Sequence, residues 1–135
     1  MFEAMNTAGS GLAVYQNWLD SLAHNIANVN TVVPASGQAF QAEYLQAQAV
    51  GGQNGTIGQG VEATGLKYSS ADGQLYYDPT NPIADEGGFV RRPDMDLGQQ
   101  MGDLIMAQRA FQANAAVIDR AKETYQDAIN IGKNL

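Results

Sequence analysis

Met1, Met5, Ala8, Leu12, Tyr15, Leu19, Leu22, Ile26 and Val29 follow one another at alternating steps of four and three residues. That is the spacing of an apolar stripe on a helix that lies along another helix in a coiled-coil seam. It predicts a helix over residues 1–30, which would reach roughly 40 Å if fully helical. Gly9 and Gly11 interrupt its first turns. Each costs about 1 kcal/mol against alanine in a helix interior, so a neighbour's close approach is the expected compensation.

Residues 94–133 resume helical periodicity. Leu97, Leu104, Phe111, Ile118 and Tyr125 form an unbroken column at seven-residue spacing, while the companion column of Met101, Gln108, Ala115, Lys122 and Ile129 is mixed. One strict and one leaky column predict a helix that packs in part and in part meets polar partners or solvent. Asp94 or Asp96 is placed to cap its start, where an acid also suits the helix dipole, and Lys133 suits the opposite end.

Between the two, residues 31–93 hold all four prolines (Pro34, Pro79, Pro82, Pro93) and ten of the fifteen glycines. Neither long helix would tolerate that density of breakers. Phe40 to Val50 reads as an extended or a helical piece, and Gly51 to Gly60 as a glycine-rich loop. Val61 to Ser70 and Gln74 to Tyr77 read as short strands turned at Asp72-Gly73, a favoured hairpin dipeptide. The expected fold class is mainly α, with long N- and C-terminal helices paired as a coiled coil and a small irregular β-containing middle segment. Residues 1–30 and 94–135 would form one discontinuous core domain, with 31–93 outside it.

Glu3 and Asp20 are the only charged side chains in residues 1–30. An ordinary surface helix carries charge on its outer face. Here Asn6, Gln16, Asn17, Asn25 and Asn28 fill those positions instead. Phe2, Val14 and Trp18 lie off the stripe, and burying one apolar side chain stabilises by about 1.5–3 kcal/mol. Exposing all three would forgo that gain, so the segment reads as an interaction helix covered on two faces.

Composition narrows the function. Fourteen acids against seven bases give a net charge of −7, and Arg91-Arg92 are the only adjacent bases. That leaves no electrostatic footprint for nucleic acid. Cysteine is absent, which removes disulfides, zinc–thiolate sites and thiol nucleophiles. No apolar run approaches the roughly eighteen residues of a membrane span. Residues 1–10 carry no Lys or Arg and no compact apolar block follows, so no cleaved secretory signal is expected.

Candidate chemistry is sparse. Gly60-Val61-Glu62-Ala63-Thr64-Gly65-Leu66-Lys67 comes near a phosphate-binding loop, but Leu66 stands where the lysine belongs. His24 is the only histidine and has no partner visible in sequence, whereas metal and Ser–His sites need neighbouring ligands or an orienting acid. A packing role is expected for it. Asp85-Glu86-Gly87-Gly88 reads as a turn and not as a catalytic carboxylate pair.

Ser10-Gly11-Leu12, followed by Leu22-Ala23-His24-Asn25-Ile26-Ala27-Asn28-Val29-Asn30-Thr31, resembles the N-terminal signature of bacterial flagellar rod and hook proteins. Arg109-Ala110-Phe111-Gln112-Ala113-Asn114 and Ala121-Lys122 match the C-terminal signature of the same family. Tyr77-Asp78-Pro79, Asn81-Pro82, Ala84-Asp85, Gly88-Phe89-Val90 and Pro93 are similar to its short proximal-rod members.

The resemblance implies a structural subunit and no enzyme, with no cofactor. In that family the terminal helices pair into a coiled-coil layer around the export channel, and the middle segment packs outside. Subunits pass through the flagellar type III export apparatus without signal cleavage, assemble in the periplasm and carry torque. Implied partners are other rod proteins, copies of the chain itself, that export apparatus and nearby basal-body ring components, with no nucleic acid and no membrane insertion. The terminal segments would order on assembly, when contact repays the ordering entropy. The implied assembly interface comprises Met5, Leu12, Tyr15, Trp18, Leu19, Leu22, Asn25, Ile26, Asn28 and Val29 on the first helix. On the second it comprises Leu97, Met101, Leu104, Phe111, Asn114, Ile118, Tyr125 and Ile129. The competing reading is a soluble helical binding module, such as an export chaperone or adaptor.

Overall fold

The structure is a computed structural model and describes residues 2–51 and 58–133. Met1, at the head of the apolar stripe, and residues 52–57 of the expected glycine loop lie outside the described residues. Two helices enclose five strands: α1 (Phe2–Asn28), β1 (Val33–Pro34), β2 (Glu43–Ala49), β3 (Val61–Tyr68), β4 (Gln74–Tyr77), β5 (Phe89–Arg92) and α2 (Leu97–Lys133). Helix thus makes up about half of the described chain, as the periodicity of the two ends required.

The helix boundaries follow from side-chain chemistry. Asp96, not Asp94, caps α2: its Oδ1 accepts the Gln99 N–H at 2.7 Å and its carbonyl accepts the Gln100 N–H at 3.1 Å. That satisfies donors which the first helical turn leaves unpaired. At the end of α1, Asn28 Nδ2 donates to the His24 carbonyl and the Thr31 N–H closes onto the Asn28 carbonyl at 3.0 Å.

The two helices run antiparallel, side by side. Asn25 near the end of α1 bonds Gln100 near the start of α2, Gly11 lies against Asn114, and the rings of Phe2 and Tyr125 meet edge to face at 5.9 Å. α1 also contacts β2 and β3, so it sits in the corner between α2 and that hairpin.

The strands form a two-stranded sheet, β2–β3, and a three-stranded sheet in the order β1–β5–β4, all antiparallel. The ambiguous Phe40 to Val50 piece is extended, and it is the partner of β3. Asp72-Gly73 therefore does not close a hairpin between Val61–Ser70 and Gln74–Tyr77; it carries the chain from one sheet to the other. Tertiary fastening decides this against the turn's local preference. Arg91 donates from Nε and Nη2 to the Ala35 carbonyl and from Nη1 to the Asp72 carbonyl. Gly73, at φ 52°, lies against the Arg92 carbonyl and the Ala39 methyl.

Gly60 to Lys67, the near match to a phosphate loop, is strand from Val61 onward and leads into no helix. A phosphate cradle requires a loop opening onto a helix N-terminus. Asp85 to Gly88 is the expected turn, closed by the Gly88 N–H on the Asp85 carbonyl at 2.9 Å.

The core is small-residue and amide-rich. Ala8, Val14, Leu22, Ala39, Ala42, Val90 and Ala107 are its buried apolar side chains, joined by buried Ser21, Asn25 and Gln100.

Candidate assembly interface

The most deeply buried positions of α1 include residues beside the stripe that hydropathy picks out. Ala8 and Leu22 are buried as expected, Gly11 and Asn25 are buried with them, and Leu12, Tyr15, Trp18, Leu19, Ile26 and Val29 are half-buried. On α2 the column Leu104, Phe111 and Ile118 packs, and its companions are Gln100, Ala107, Asn114 and Ala121. The mixed column of Met101, Gln108, Ala115, Lys122 and Ile129 is exposed except at half-buried Ala115. Val14, expected off the stripe, is also buried.

Close approach is the physical reason. Asn25 opposes Gln100 and Gly11 opposes Asn114, fourteen residues further along each helix. Between them on α2 lies Ala107, which is fully buried. Amide meets amide, and glycine meets an amide. Complementary sizes let the backbones come together, as interior packing density requires. Hydropathy ranks leucine above glycine and cannot register that preference.

α1 is covered on a second face, and that cover comes from its own chain. The β2–β3 hairpin docks there. Ser10 Oγ accepts the Val61 N–H at 3.0 Å, and Asn25 Oδ1 accepts the Glu43 N–H at 2.8 Å. His24 is a packing residue at that seam: its ring meets Phe40 edge to face at 5.1 Å, and Nδ1 lies 3.1 Å from Glu43 Oε1.

The residues assigned to an assembly interface divide into three groups. Leu22 and Asn25 are buried within the chain. Met5, Leu12, Tyr15, Trp18, Leu19, Ile26 and Asn28 on α1, Val29 just after it, and Leu104, Phe111, Asn114 and Ile118 on α2, are half-buried. Leu97, Met101, Tyr125 and Ile129 are exposed, and near them lie Ile105, Met106, Val117 and Ile131, which the sequence reading did not single out. The sheet adds exposed Leu75, Tyr76 and Tyr77, with the Arg92 guanidinium stacked 4.5 Å over the Tyr76 ring. Close approach at Gly11 was expected from its glycine, whereas Gln100 and Ala107 were missed for lack of hydrophobicity.

Electrostatics at the loops are local. Hydrogen bonds from Thr80 and then Asn81 hold the Asp78 carboxyl below the usual carboxylate range. Among the described residues no cluster of three or more His, Cys, Asp or Glu side chains is placed to hold a metal ion, and no helix is long and apolar enough to cross a membrane. Among the described residues the exposed surface offers apolar contact area.

The family described as "Flagellar basal body rod FlgEFG protein C-terminal" matches residues 86–131, which take in β5 and nearly all of α2. Over the whole chain, the flagellar basal-body rod protein FlgC of Salmonella typhimurium is 31% identical across 133 residues, covering 98% of each chain. The protein of the same name from Borreliella burgdorferi is 31% identical over 97% of each chain. That of Bacillus subtilis is 29% identical over 98% of each.

Proposed function

The chain belongs to the FlgC family of flagellar basal-body rod proteins, and from that membership we propose how its fold serves in a rod. It is a structural subunit of the flagellar basal body and not an enzyme. In the assembled rod the α1–α2 pair packs as a coiled coil with the pairs of neighbouring subunits, one discontinuous core made from both ends of the chain. Residues 31–93 form the outer segment. Copies of the chain and the other proximal rod proteins are the partners, and basal-body ring components lie nearby. Such helices enclose the channel of the type III export apparatus, and the subunit reaches the periplasm through it with its N-terminus uncleaved. Torque passes through the interlocked helices.

The observation that supports this reading best is the apolar surface left on α2. Leu97, Met101, Tyr125 and Ile129 are each about two-fifths exposed, on a helix whose inner face is already occupied by α1. Exposed apolar side chains of that kind, at both ends of one long helix, suit protein–protein contact. The amides along both helices supply hydrogen bonds that set register without burying charge.

Replacing Met101 and Ile129 together by aspartate tests it. Both side chains are exposed, so the isolated chain should keep its circular dichroism while cells carrying the variant lose motility and their basal bodies lose the subunit. Swimming cells with the variant built into the rod would sink this interface. Leu22→Asp and Phe111→Asp should also abolish motility, but Leu22 is buried in its own chain, so that variant tests the fold first. Family membership does not favour the chaperone or adaptor reading.

A further inference from the structure

Asn25 lies in α1, Glu43 opens β2, and Gln100 lies in the first turns of α2. The Asn25 carboxamide engages the main chain of Glu43 twice. Nδ2 donates to the Glu43 carbonyl at 2.9 Å, and Oδ1 accepts the Glu43 N–H at 2.8 Å. Nδ2 also donates to Gln100 Oε1 at 2.9 Å. One side chain thus acts as a neighbouring strand towards the hairpin and as a seam partner towards α2. Asn25 is fully buried and Gln100 nearly so, which leaves no room for water to replace these bonds.

The arrangement has no equivalent substitute. Flipping the Asn25 amide sets donor against donor at the Glu43 N–H and oxygen against oxygen at its carbonyl. Slipping the helices by one heptad brings Ala107 to Asn25, or sets Gln100 against Trp18. Either change strands buried polar atoms, which then carry their full desolvation penalty.

The geometry points to Asn25 as an interlock, in which helix pairing and hairpin docking each complete hydrogen bonding that the other requires. A hairpin docked without α2 leaves an Asn25 N–H unpaired. Helices paired without the hairpin leave Oδ1 and the other N–H without the Glu43 main chain that they pair with in the complete fold. Most of the hairpin's side chains are exposed, and its other polar contacts with α1 are Ser10 on Val61 and His24 beside Glu43. All three groups lie in one chain, so the interlock does not depend on the rod assignment.

Amide hydrogen exchange on the full chain, followed along a sodium sulfate titration that favours compact states, tests it. In the wild type, protection at Glu43 and at the α2 amides around Ala107 should rise with one midpoint. Gln100→Leu, a change on α2, should speed exchange at Glu43 by about tenfold or more. Asn25→Leu combined with Gln100→Leu refills the seam with apolar side chains, and should keep helix protection while losing it at Glu43. Ser10→Ala should speed exchange near Val61 alone. Separate midpoints in the wild type, or Glu43 protection that survives the double substitution, would overturn the interlock.

Discussion

Gly11 lies flat against the Asn114 carboxamide, so close that a Cβ on Gly11 would stand 3.0 Å from Asn114 Oδ1. Two turns of glycine-tolerant helix follow different rules as a result. A Cβ on Gly9 meets nothing within 4 Å. Gly9→Ala should therefore gain most of the helix-propensity difference, about 1 kcal/mol. Gly11→Leu should push α1 from α2 and lose about 1–3 kcal/mol, the usual range for overpacking. Urea unfolding followed at 222 nm separates the two, and equal effects would show that the register at Gly11 is wrong.

Asp96 holds the first turn of α2 through the Gln99 N–H at 2.7 Å. Asp96→Ala should cost about 1 kcal/mol, whereas Asp96→Asn, which keeps an accepting oxygen, should cost only a few tenths. Asp94→Ala leaves the cap intact and should stay within about 0.5 kcal/mol of the wild type. Thermal unfolding of the three variants orders them. A larger loss for Asp94→Ala would reassign the cap.

Gly73 is needed for two independent reasons. Its φ of 52° suits glycine, and a Cβ there would run into the Arg92 carbonyl and the Ala39 methyl. Left-handed backbone alone costs other residues about 1 kcal/mol or more, and the carbonyl sits on a paired strand that cannot yield. Gly73→Ala should destabilise by about 2 kcal/mol or more, with Gly58→Ala as the open-space control. Denaturant midpoints measure the difference.

The Asp78 carboxyl is held below its ordinary value of 3.8, chiefly by the Thr80 hydroxyl and the Asn81 amide. A depressed folded-state pKa gives stabilisation that is complete above the unfolded value and is lost as pH falls through the folded one. The loop between β4 and β5 should therefore be unchanged from neutral pH down to that value and loosen below it. Amide resonances of Thr80 and Asn81, followed to low pH, should move together there. Asp78→Asn should abolish that step.

The three-stranded sheet shows where reading the chain stops. β1 is two residues with a proline, and β5 ends in Arg91 and Arg92, so neither carries the alternation that marks a strand. They are strands because they pair with each other and with β4. The two arginines are tolerated because they have partners: Arg91 on the Ala35 and Asp72 carbonyls, Arg92 on Asn30 Oδ1 at 3.0 Å and over the Tyr76 ring. None of those partners is near in sequence.

Both long helices, their inward columns Ala8–Tyr15–Leu22 and Leu104–Phe111–Ile118, and the terminal signatures were legible in the residues alone. Periodicity and capping are local properties, written within a few turns of chain. The pairing of Asn25 with Gln100 and of Gly11 with Asn114 was decided by tertiary structure. It arises because α1 lies in a corner between α2 and the β2–β3 hairpin, where close backbones select small side chains and buried amides need exact partners. Hydrophobic spacing reports how much a face wants to be covered; only the assembled neighbours determine which residues touch.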